Sequence, residues 1–106
     1  MESDAPFLAL ADPVRRRMLD DLRAGERSAT DLGRPHPISQ PALSRHLRVL
    51  TEAGLVTARR QGRNRMFRLA PHGIEATLDW LDRLRAAMET NYARLDALME
   101  EGDDAP

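Results

Sequence analysis

Two groups of side chains in this sequence have the types and spacing to recognise a polyanion. The first is Gln40, Pro41, Ser44, Arg45 and Arg48, set at helical spacing behind the cap residue Ser39. Glutamine can pair with adenine and arginine with guanine through two hydrogen bonds, each worth about 1–3 kcal/mol of discrimination. Pro41 offers only an apolar contact, such as one to a thymine methyl. Arg48 lies one turn further along and is placed for a phosphate. The second group is Arg59, Arg60, Arg63, Asn64 and Arg65. An arginine fork donates parallel pairs of hydrogen bonds, which suits phosphate oxygens and guanine edges. These side chains would follow a sugar–phosphate backbone or enter a narrow minor groove beside it.

The charge balance agrees. The chain has 106 residues and a formal net charge of −1, and all of its basic residues are arginine. Residues 1–14 carry −3, residues 15–68 carry +8 and residues 69–106 carry −6. A basic middle segment in a nearly neutral chain is the electrostatic footprint of a polyanion-binding face.

Other chemistries find no support. There is no Ser-His-Asp spacing, carboxylate pair or glycine-rich phosphate loop, so an enzyme is a poor reading. With no cysteine there is no disulfide, thiolate metal site or thiol switch. No apolar run approaches the roughly 20 residues of a membrane helix. The start, Met1-Glu2-Ser3-Asp4, is no secretory signal, so a cytoplasmic protein is expected. No cofactor is called for.

The positioning elements follow from periodicity and caps. Phe7, Leu8, Leu10 and Ala11 suggest a short first helix. Asp12-Pro13 is a helix start, followed by Val14, Met18, Leu19 and Leu22 at helical spacing, with the helix expected to end near Arg23. Ser28 caps a short helix over 29–33, and Pro35 and Pro37 force a turn. Ser39 caps the next helix, whose buried stripe is Leu43, Leu47 and Leu50 and whose end is Gly54. Two helices joined by a short turn make a helix-turn-helix, with residues 39–53 as its second helix. Residues 55–61 and 65–69 then read as two strands around a turn at Gly62-Arg63-Asn64. Helix ends at Ser28 and Ser39 can also offer backbone N–H groups to phosphates.

One long helix is expected from His72 to Met99. Its apolar positions, Ile74, Leu78, Leu81, Leu84, Met88, Tyr92, Leu95 and Met99, are spaced by three or four residues throughout. At ~1.5 Å per residue it exceeds the diameter expected for a 100-residue domain. A second copy of the chain would cover the surplus stripe, so a two-fold dimer is expected through Leu78, Leu81, Leu84, Met88, Tyr92 and Leu95. The fold class is mainly α with a two-stranded antiparallel hairpin: a dimeric winged helix-turn-helix of about five helices. Residues 1–99 form one domain, and 100–106 are an acidic tail expected to fray.

The sequence also resembles a known family. Residues Phe7 to Leu19, the stretch Ile38 to Leu50, the run Glu52-Ala53-Gly54-Leu55-Val56 and the arginine-rich segment 59–69 are similar to ArsR/SmtB-type bacterial transcriptional repressors. The resemblance spans residues 7–99 and is most specific over 38–69. It implies a homodimer that binds palindromic double-stranded DNA, often released by a small-molecule effector. It also implies a dimer interface of first and last helices, which adds Phe7, Leu8 and Leu10. The metal-sensing motifs of that family are missing. The cysteine pair is absent, and the last helix offers only His72 with Glu75 and Asp79, so no metal site is assigned. A His/carboxylate metal-responsive regulator and a winged-helix protein-docking module stand as alternatives. The basic second helix and hairpin disfavour the docking module. Base stacking on RNA would need exposed aromatics, and most of Phe7, Phe67, Trp80 and Tyr92 read as core.

Two further expectations concern single residues. At least one of Arg15, Arg16 and Arg17 should pair with Asp12, Asp20 or Asp21. His46, one residue before a core leucine, should be packed or hydrogen-bonded.

Overall fold

The computed structural model describes residues 4–103. The expectations for Met1–Ser3 and for the end of the acidic tail lie outside the described residues. The chain divides into two compact units, one up to Glu75 and one from Ala76.

In the first unit, α1 (Ala5–Leu10) leads through a two-residue joint into α2 (Pro13–Asp21). Asp12 caps α2: its Oδ1 accepts from the N–H of Val14 at 2.8 Å and of Arg15 at 3.2 Å. Pro13 at the first helical position loses no hydrogen bond there. Partial burial pushes the Asp12 carboxyl up, yet the N–H groups of Arg15 and Val14 and the nearby His46 and Arg15 bring it below its ordinary value. A single 3-10 turn, Leu22–Ala24, closes this arm, and Gly25 turns the chain at a φ of 138°.

Next come β1 (Arg27–Ser28), α3 (Ala29–Gly33) and α4 (Gln40–Glu52). The Ser28 hydroxyl accepts from the Asp31 N–H and the Ser39 hydroxyl from the Ala42 N–H, so both caps act as expected. At the end of α4, Gly54 takes a φ of 76° and the Leu55 N–H reaches back to the Leu50 carbonyl. The left-handed turn suits glycine, which has no Cβ to clash.

Strands β2 (Val56–Gln61) and β3 (Asn64–Leu69) form the hairpin, with Gly62 at a φ of 61° in its two-residue turn. The expected antiparallel hairpin is present, and β1 adds a third strand to its sheet, in the order β1-β3-β2 and antiparallel throughout. Strand β1 pairs Arg27 with Phe67 and Ser28 with Met66. A strand of two residues is too short to show the alternation by which strands are read. Asn64, expected in the turn, begins β3 opposite Gln61.

Phe67, Met18, Leu32, Leu50 and Val56 are fully buried and draw α2, α3, α4 and the sheet onto one core. Each contributes roughly 1.5–3 kcal/mol by leaving water. Helix α5 (Pro71–Asp103) starts in this unit. Ala70 donates to the Leu55 carbonyl, and Gly73 lies so close to the Gly54 carbonyl that an added Cβ would sit 1.7 Å from its oxygen.

The second unit is the rest of α5, which runs four residues beyond the expected end at Met99. From Leu78 to Met99 the apolar stripe is exposed, with each of its large side chains between 45% and 61% accessible. No helix is long and apolar enough to cross a membrane among the described residues.

Candidate nucleic-acid interface

Helix α4 divides its side chains cleanly. Leu43, Leu47 and Leu50 are buried, which fixes the roll of the helix. Ser39, Gln40, Pro41, Ser44, Arg45 and Arg48 are all exposed. The candidate base readers therefore share an open face because the leucine period sets it there.

The hairpin register sorts the second cluster. Arg59 faces Met66 across the sheet, Arg60 faces Arg65, and Gln61 faces Asn64. Side chains alternate along a strand. Arg60 and Arg65 thus share the face that carries the buried Val56 and Phe67, beyond the core, while Arg59 and Arg68 share the opposite face. Arg63 sits in the turn. Like charges directly opposite each other destabilise a strand pair, and Arg60 and Arg65 carry that cost. Arg65 also lies over the Phe67 ring, 5.1 Å from its centroid. That stacking fixes the guanidinium near the hairpin's core end.

Partner bookkeeping separates these arginines from the rest. In the first unit, every arginine outside α4 and the hairpin has an internal partner, an acid for three of them and backbone carbonyls for the other three. Arg17 pairs with Asp21 at 3.3 Å, Arg23 with Asp20 at 3.9 Å, and Arg34 with Asp31 at 2.9 Å. Arg27 donates to the Asp21 carbonyl. Arg16 donates to the Leu10 carbonyl. Arg68 reaches the Thr57 hydroxyl. Arg45, Arg48, Arg60 and Arg63 have no hydrogen-bond or ion-pair partner among the described residues. Thus the unpartnered arginines of this unit lie only on α4 and the hairpin.

Arg59 is the exception within the expected site. Its Nε donates to Glu26 Oε2 at 2.9 Å, and its Nη2 donates to Glu26 Oε1 and Gln61 Oε1. This pairing was not legible in the sequence, because the partners lie 33 residues apart.

Arg15 is a residue that sequence reasoning undervalued. Its Nε donates to the Ala9 carbonyl at 2.8 Å and its Nη2 to the Leu8 carbonyl at 2.9 Å, closing the C-terminal end of α1. Its Nη1 stands 3.1 Å from His46 Nδ1 on α4. A guanidinium has no acceptor, so in this contact the ring nitrogen is the acceptor. Arg15 therefore bridges α1 and α4. An open cleft of about 520 Å³ lies beside this bridge, lined by Asp12, Arg15, Pro41, Ala42, Arg45 and His46.

On α1, Leu8 is exposed, whereas Leu10 packs against the chain's own core and Phe7 is half-buried. His72, Glu75 and Asp79 do not combine into a metal-holding group, since no cluster of three or more His, Cys, Asp or Glu occurs among the described residues.

Comparison with known proteins agrees with this geometry. Residues 10–59 match a helix-turn-helix domain family. The chain is 41% identical to the HTH-type transcriptional regulator Rv2034 of Mycobacterium tuberculosis, over 95% of this chain and 92% of that protein. It is 32% identical to the transcriptional repressor SdpR of Bacillus subtilis, over 71% of this chain and 83% of that one. Among solved structures, an ArsR-like transcriptional regulator from Rhodococcus sp. RHA1 superposes with a TM-score of 0.78 at 29% identity, covering 92% of this chain and 89% of that one.

Proposed function

This chain belongs to the ArsR family of helix-turn-helix transcriptional regulators, which are DNA-binding proteins and not enzymes, and we propose that it acts as a homodimeric repressor on an inverted-repeat operator. Helix α4 enters the major groove, where Gln40 and Arg45 read base edges. Pro41 and Ser44 line the same face, and Arg48 and the Ser39 helix end contact backbone. The hairpin is the wing. Its Arg60, Arg63, Asn64 and Arg65 follow the phosphates or the adjacent minor groove.

One observation carries this reading. In the first unit the arginines without an internal partner lie only on α4 and the hairpin. An arginine left unpaired by its own fold is free to meet an external anion. Two such groups on a helix of groove-filling width and a neighbouring hairpin match double-stranded DNA. The protein-docking alternative gives no reason for this concentration of cations. Dimerisation rests on α5, whose exposed apolar stripe fits a second copy of itself, with Leu8 on α1 as a further exposed contact.

Binding-site selection from a random duplex library tests the proposal. The expected product is an inverted repeat with half-site centres about one helical turn, or a multiple, apart. Arg45→Ala should relax one position in each half-site and weaken specific binding by about 1–3 kcal/mol. Binding to every sequence alike would refute sequence-specific recognition.

A further inference from the structure

We infer that Glu26 is an affinity-setting residue of the interface, because it occupies the guanidinium fork of Arg59 and competes with the DNA backbone for it. The inference rests on the reading of the hairpin as a DNA-contacting wing.

The geometry supplies the argument. Arg59 has five N–H groups. Three of them are spent: Nε–H and one Nη2–H on the two Glu26 oxygens, and the other Nη2–H on Gln61 Oε1. Only the two Nη1–H groups remain. A phosphate is held best by two parallel donors from different nitrogens. Glu26 fills the Nε/Nη2 side of the fork and Gln61 takes the Nη2 hydrogen on the Nη1/Nη2 end, so it is the Nε/Nη2 side that loss of Glu26 would open.

Position strengthens the case. Glu26 lies between the turn at Gly25 and β1, and β1 is hydrogen-bonded to β3, so the carboxylate is anchored to the sheet that carries the wing. Arg59 lies on β2 in the row of Met66 and Ser28, two rows from the Gln61–Asn64 end of the hairpin. The hydrogen bond from Arg59 holds the Glu26 carboxyl below its ordinary value, with Arg68 adding to the attraction, so the acid stays charged near neutral pH. Surface pairs of this kind are weak and screened by salt. Removing Glu26 therefore costs the fold little and frees Arg59 for a phosphate, whereas the acid in place withholds that contact and its affinity. Arg60 and Arg63, which have no such competitor, carry the wing's contacts.

A double-mutant cycle tests the inference, with full-length protein and a random-sequence duplex titrated at several salt concentrations. Both side chains are at the surface, and circular dichroism checks that the variants fold. Glu26→Gln is expected to tighten binding several-fold. It should also steepen the fall of log K with log salt by about 0.9 for each wing that gains a phosphate contact. In an Arg59→Gln background the same change is expected to gain nothing. A gain that persists without Arg59 would reduce Glu26 to a general negative charge and overturn the inference. So would unchanged binding, or weaker binding, which would mean that the acid orients Arg59 toward DNA. Arg63→Ala is the separate check on the wing. If it leaves affinity and salt dependence untouched, the wing reading itself fails and the inference falls with it.

Discussion

At the scale of single residues, function in this molecule is a matter of which charges the fold leaves unspent. Arg17, Arg23 and Arg34 have carboxylates three or four positions away on the same helical turn, so their pairing was readable from spacing alone. Arg15 and Arg59 were not readable, because their partners come from other elements. Asp12 was legible as a cap, and its contribution is measurable. Asp12→Ala should cost about 1 kcal/mol of stability in urea unfolding. Since the folded protein holds this carboxyl below its ordinary value of 3.8, the benefit is complete well above that pH and disappears as pH falls through the folded value. The gap between wild type and variant should therefore narrow below about pH 4. A gap that stays constant down to pH 2 would mean that Asp12 does not act as an ionised cap.

At the scale of elements, the helices were readable because leucine period, capping serines and prolines all agree. The third strand was missed because Arg27–Ser28 acquires its state only from pairing with β3. The joint at the base of the wing was also invisible in the sequence. There, Gly73 in the first turn of α5 packs onto the Gly54 carbonyl at the end of α4, a contact between residues far apart in the chain. Gly73→Ala is expected to force this joint apart and to lower stability by about 1–3 kcal/mol, as overpacking does. Thermal unfolding reads the effect. An unchanged midpoint would show that the joint yields without strain. Gly62→Ala, in the exposed wing turn, meets no neighbouring atom, so its cost is confined to the left-handed backbone.

At the scale of the whole molecule, the account joins a DNA-reading unit to a helix whose apolar side chains face water. At about 1.5 Å per residue, α5 is roughly 50 Å long. Light scattering at micromolar concentration should give the mass of a dimer for the wild type, and of a monomer for Leu84→Glu. A monomeric wild type would contradict the dimer. The stripe was plain in the sequence because its period persists over seven turns; its occupant was not, because a stripe does not name what covers it. The central claim is that the unpartnered arginines of α4 and the wing meet DNA phosphates and bases while the internally paired ones do not. The most direct test measures the salt dependence of binding to a selected operator for wild type, Arg63→Ala and Arg17→Ala. The account predicts a slope reduced by about one per half-site for Arg63→Ala and unchanged for Arg17→Ala, whose guanidinium is held by Asp21. Equal slopes in all three proteins, or a loss in Arg17→Ala matching that in Arg63→Ala, would contradict it.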